Sequence, residues 1–281
     1  MPEPQDFLTR APRDLAGWVA CFDVIRLPVL ANTADELEVW RAAQDEVDAH
    51  LLAQTLSTDP LMILKLLAHL ARLRRSREGS DTETVTEALV MLGIEPFFKA
   101  FGPQETVEQT LTGQPLALAG FLRVLHRSHR AARFAIGFAV HRMDHDAAVI
   151  HEAALLHDFA ELLLWLRAPA LALEIARRQR ADPALRSAVV QRQVLNIELC
   201  DLQHALMKAW QLPALLVQIS NDHALAANGQ MRNVNLAIRV ARHCAHGWDD
   251  PALPDDLRDI GELLQLTPEH TLRLLQDIDS D

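Results

Sequence analysis

Residues 150–166 read IHEAALLHDFAELLLWL, and the fold turns on how this stretch is read. Ala153, Ala154, Leu155, Leu156, Leu162, Leu163, Leu164 and Trp165 surround a helix of about five turns, leaving little solvated face. The spacing therefore predicts a central, buried helix. His157 and Asp158 stand side by side in its middle. Burying both is costly unless each is satisfied, because each loses its water in the interior. The pair thus has two readings: it coordinates a metal ion, or it is tied into hydrogen bonds.

Helical signals continue on both sides. Upstream, Leu37, Trp40, Val47, Leu51 and Leu52 recur at helical spacing and predict one helix over 36–56, with Thr33 or Asp35 as its cap. Ser57-Thr58-Asp59-Pro60 is a stop and restart, with Asp59 or Thr58 as N-cap and Pro60 in the first helical position. A helix over 82–92 should close on Gly93 in the left-handed conformation. Gly113-Gln114-Pro115 marks a joint, after which 116–141 forms one long helix or two in tandem. Downstream, helices are expected over 169–180, over 185–210 with an interruption at Asn196, over 233–247, and as closing elements within 256–279. No segment shows the alternation of a half-buried strand. The expected fold is all-α, two packed helical lobes, residues 1–115 and 116–281.

Composition narrows the function. Hydrophobic residues make up 49% of the chain, but they are dispersed among charges, and no uncharged run approaches the roughly 20 residues that span a bilayer. The opening residues, MPEPQDFLTRAPRD, lack an apolar export core, so a soluble cytoplasmic protein with no membrane partner is expected. Cys21, Cys200 and Cys244 are odd in number and far apart, unlike a disulfide framework or a zinc knuckle. A formal charge of -11 argues against nucleic acid as the partner. Arg72, Arg74, Arg75 and Arg77 read as a solvated helix end whose cations favour the C-terminal dipole.

After these observations a resemblance can be stated on an ordered set of motifs. Arg26-Leu27-Pro28 is followed by Ser57-Thr58-Asp59-Pro60-Leu61, by residues 84–93 (TVTEALVMLG), by Ala154-Leu155-Leu156-His157-Asp158, and by residues 198–213 (ELCDLQHALMKAWQLP). From about 26 to 223 this order resembles the HDOD domain family, a degenerate relative of the HD phosphohydrolases. The resemblance implies an all-helical domain, HD-like in its C-terminal lobe, used in bacteria as a signalling output or adaptor module without general catalysis. Departures point the same way. Ala160 and Glu161 stand where active HD phosphodiesterases of the GYP type have glycine and lysine, and a chain with no tyrosine cannot hold a GYP segment.

Two functions lead at this point, with an RNA or DNA adaptor centred on Arg72 to Arg77 as a third reading. The first is a non-catalytic signal-transduction protein that binds a partner protein or a small ligand, a nucleotide among the candidates, between its lobes, with no cofactor. The second is a metal-dependent phosphohydrolase or phosphodiesterase with residual activity. HD enzymes hold a divalent ion with a His from an earlier helix, the His-Asp pair, and an Asp from a later helix, and the ion acidifies the attacking water. Mn, Fe, Ni or Zn could be held here by His157, Asp158, His129 and Asp222, with His126 and Asp201 as alternates for the outer positions. Against this, HRSHR also reads as the polar side of an amphipathic helix, and Ser128 can fall at the ligand position. His141 with His145, His243 with His246, and Glu161 beside His157 are weaker clusters. Trp165 and Trp210 read as core residues, or as lining a cleft between the lobes.

Overall fold

The structure is a computed structural model, described over residues 7–74, 83–182, 184–220 and 229–280. Among these residues every regular element is helical, and one isolated bridge joins Val29 to Thr106. The helices are α1 (Leu15–Val19), α2 (Ala31–Ala42), α3 (Ala49–Leu56), α4 (Pro60–Arg74), α5 (Val85–Leu92), α6 (Ile94–Ala100), α7 (Val107–Thr110), α8 (Pro115–Arg142) and α9 (Ala147–Leu156). They continue as α10 (Phe159–Arg167), α11 (Pro169–Ala181), α12 (Ser187–Leu195), α13 (Leu199–Ala209), α14 (Ala214–Ile219), α15 (Gly229–His243), α16 (Leu253–Leu264) and α17 (Pro268–Ser280). None of the described helices is long and apolar enough to cross a membrane.

Local chemistry explains many of the boundaries. Asp59 caps α4 by accepting the N–H groups of Leu61 and Met62 at 2.9 and 3.0 Å, and Pro60 takes the first helical position as expected. Thr84 and Glu87 form a reciprocal capping box at α5. Asn196 ends α12 in the left-handed conformation (φ 64), where the interruption was expected. Gly93 takes a positive φ of 83, but with ψ 155 it is extended rather than left-handed helical.

Two expected helices are divided. Residues 36–56 are not continuous: α2 ends at Ala42, a 3-10 turn follows at Gln44–Glu46, and Asp48 starts α3 by accepting Leu51 N–H at 2.8 Å. The start of α2 also differs, since Leu30 is its N-cap without a side-chain bond. Thr33 instead bonds the buried Asp59. The second division falls within residues 150–166. His157 and Asp158 form a turn between α9 and α10 rather than the middle of one helix. Aspartate is favoured immediately before a helix start, and the apolar residues on either side conceal that boundary.

The chain forms two compact units, Met1–Arg123 with Phe159–Pro213, and Val124–Asp158 with Ala214–Asp281. In the first, α4 buries Leu61, Met62, Ile63, Leu64, Leu66 and Leu67, and α3 and α5 pack beside it. Helices α10, α11, α12, α13 and α1 complete this unit, and the Trp18 indole N–H bonds the Leu195 carbonyl at 2.8 Å. Trp165 and Trp210 are buried here, Trp210 against Phe159 and Trp165 against Gly120. In the second unit α9 packs on α14 and α15, α15 on α16, and α16 on α17. Phe134, Phe138, Ile150, Val234 and Ala237 are among its buried residues.

Candidate functional site

The His157-Asp158 turn lies in the second unit, and both side chains are buried. Two helices aim arginines at it. From α8, Arg127 places Nε at 2.8 Å and Nη2 at 2.7 Å from Asp158 Oδ2. From the C-terminal turn of α15, Arg242 Nη2 donates to Oδ1 at 2.7 Å. His157 Nδ1 lies 3.2 Å from the same Oδ1. An ionised carboxylate only accepts, so Nδ1 carries the hydrogen of that contact.

The balance of charge follows from this geometry. Burial pushes the Asp158 carboxyl up, but Arg127 and Arg242, with smaller help from His157, outweigh it and hold the group well below the usual carboxylate range. Exposure is graded across the cluster: the Asp158 side chain is 9% exposed, Arg127 22% and Arg242 48%. A fork-shaped guanidinium suits a buried carboxylate better than an ammonium does, because it is less strongly hydrated and bonds through two donors.

Of the other proposed ligands among the described residues, His126 is exposed on α8. His129 is half-buried, and it lies close enough to His151 that burial first, then His129, pushes His151 below the usual histidine value. Asp222 falls outside the described residues, as do Arg75, Arg77 and the Arg74 side chain, while Arg72 is exposed. Among the described residues no three His, Cys, Asp or Glu side chains converge as metal ligands. Ser128 is buried and its hydroxyl has no hydrogen-bond partner there. Of the weaker clusters, His141 Nε2 meets the Leu264 carbonyl at 3.2 Å, and His243 Nδ1 meets the buried Asp256 carboxylate at 2.6 Å.

A divalent ion in the HD manner needs lone pairs on Asp158, with ligands arriving from an earlier and a later helix. Here the earlier and later helices bring cations, and both carboxylate oxygens already accept charged donors. Among the described residues this donor set does not fit a metal at Asp158, since a dication placed there would face two guanidinium groups. Arg127 and Arg242 were missed in the sequence. Arg127 sits between the two histidines of HRSHR, and Arg242 directly precedes His243, so attention fell on the neighbouring imidazoles.

Comparison with known proteins agrees with the architecture. The MmoQ response regulator of Methylococcus capsulatus str. Bath is similar in structure, with 20% identity, 89% of this chain and 98% of that chain covered, and a TM-score of 0.65. A virulence factor from Campylobacter jejuni subsp. jejuni matches with 15% identity, 89% of each chain covered and a TM-score of 0.65. At these identities the likeness concerns the fold. No protein of curated function matches. The HDOD domain model matches residues 27–225, more than half of the sequence, in the region where the ordered motifs lie. The chain belongs to the HDOD family.

Proposed function

We propose that this protein is a non-catalytic signal-transduction output or adaptor protein of the bacterial cytoplasm, acting through a partner protein or a small ligand such as a nucleotide. The observation that carries this reading is the Asp158 carboxylate, bonded by Arg127 and Arg242 where hydrolysis would require a metal. Family membership supports the signalling role, and so does the name of one similar structure, a response regulator. No cofactor is needed in this role. The competing function is a phosphohydrolase holding Mn, Fe, Ni or Zn through His157 and Asp158. Elemental analysis of the purified protein, with phosphodiesterase and nucleotide phosphatase assays of wild type, His157→Ala and Asp158→Ala, separates the two. The expected result is substoichiometric metal and no turnover that the substitutions alter. Stoichiometric metal with turnover abolished by either substitution overturns the proposal.

A further inference from the structure

Charge is distributed unevenly along the chain, although the two units have similar net charges. Residues 169–195, the packed pair α11 and α12 with their connection, carry five arginines against two acids, a net +3 in a chain of net -11. Arg180 and Arg186 are exposed and pair with no carboxylate among the described residues; the Arg180 Nε bonds the Ala176 carbonyl of its own helix. On α12, Val189 stands exposed three residues from the N-cap Arg186 and three from Arg192, which pairs with Glu198.

The second unit contains a segment of opposite sign. Residues 249–280 hold nine acids against two arginines, net -7. Several acids are internally satisfied, Asp279 by Arg130 and Asp256 by Arg239, whereas Asp277 on α17 is exposed with no cationic partner among the described residues. Ile278, its neighbour, lies against Gly137 of α8, so α17 runs beside the part of α8 that exposes Ile136 and Val140. Val140 is 67% exposed, and Met143, just past the helix end, is 83% exposed. This face is apolar, and Asp277 stands exposed on the adjoining α17, one turn after the exposed Arg273.

We propose that the α11–α12 face of one copy docks on the α8–α17 face of a second copy, with Val189 meeting the apolar stripe and Arg180 and Arg186 meeting acids such as Asp277. An apolar centre with a charged rim is the usual anatomy of an interface, and opposite charges set its register. The two faces differ, so the contact is head-to-tail and leaves one free face at each end of a pair. Short-range complementarity governs here despite the shared negative charge, because the Debye length is about 10 Å at 0.1 M salt.

Light scattering coupled to size exclusion, at low and high salt, tests the idea with the full chain. Wild type should exceed the monomer mass of 31.4 kDa, increasingly with concentration at low salt, and return to it at high salt. Arg180→Glu/Arg186→Glu and Val140→Arg/Asp277→Arg alter only exposed side chains, and each alone should weaken association at least about tenfold. Mixed together, they should form a capped 1:1 dimer, because each retains the face that the other has lost. A monomeric wild type at low salt, a mixture that stays monomeric, or association that nuclease removes would each overturn the proposal.

Discussion

Asp158→Ala removes an anion on which Arg127 and Arg242 converge, and the graded exposure of the cluster sets the size of the effect. Arg242 is half exposed and can turn toward water, so its stranding costs little. Arg127 is mostly buried and cannot recover its hydration. Breaking a buried pair by removing one partner costs roughly 3 to 5 kcal/mol; with one guanidinium able to escape, the lower end, about 3 kcal/mol, applies. At about 2 to 4 °C per kcal/mol for a chain of this size class, the midpoint should fall by roughly 6 to 12 °C. Removing Arg127 should cost more than removing Arg242, for which screening limits the loss to about 1 kcal/mol.

Thermal and urea unfolding of wild type, Asp158→Ala, Arg127→Ala and Arg242→Ala at neutral pH measures this order. The acid limb gives an independent check. Asp158 has a depressed folded value, so the stability it supplies is complete above its unfolded value near 3.8 and is lost as pH falls through the folded one. Asp158→Ala should lack that component of the acid limb. Chelator should leave the wild-type midpoint unchanged, whereas stripping an ion present at a thousand times its Kd would cost about 4 kcal/mol. The reasoning fails if Asp158→Ala lies within about 0.5 kcal/mol of wild type, if Arg242→Ala is the more damaging arginine change, or if chelator destabilises the protein.

Three further outcomes follow from local chemistry in the first unit. Lys65 donates to the Leu27 carbonyl at 2.7 Å and to Gln104 Oε1; burial lowers its ammonium to about 8, although Asp59 and Glu105 oppose the shift. Between pH 8 and 10.5 the unfolded chain binds the proton more tightly, so this group makes stability rise with pH, and Lys65→Met should remove that rise in urea titrations at several pH values. Gly120→Ala would place a Cβ 2.4 Å from the buried Trp165 ring, so a strain of about 1 to 3 kcal/mol should outweigh the roughly 1 kcal/mol gain in helix propensity, and calorimetry should show a lower midpoint. Thr84→Ala breaks the α5 capping box and should cost about 1 kcal/mol in denaturant unfolding, while Thr84→Ser should retain most of it.

Much of the fold was legible because helix formation depends on signals local in sequence. Asp59 before Pro60, Asn196 at the end of an apolar run, and the absence of any alternating segment each carried their consequence without tertiary information. The failures at 43–48 and at 157–158 have one cause: a short turn between two helices of similar polarity leaves the apolar rhythm almost intact. Asp48 was the overlooked start signal at the first site, as Asp158 was at the second. The pattern of burial survived both errors. Ala153 to Leu156 and Leu162 to Trp165 are buried whether or not a turn separates them.

The candidate site was half legible for a different reason. That a buried His-Asp pair must be satisfied follows from solvation alone, but the identity of what satisfies it depends on pairings 31 and 84 residues distant. Sequence reading sought neutral or anionic ligands at the right separation, as a metal would require, and so passed over the two cations. A carboxylate removed from water needs positive charge, and an ion held by four ligands or two arginines held by their own helices can supply it. Only the second leaves the charge covalently fixed, independent of metal supply and unable to acidify a water. If that substitution is the basis of the site, the acid that once would have served chemistry now fastens α8 to α15, and its loss should register in unfolding before it registers in any turnover assay.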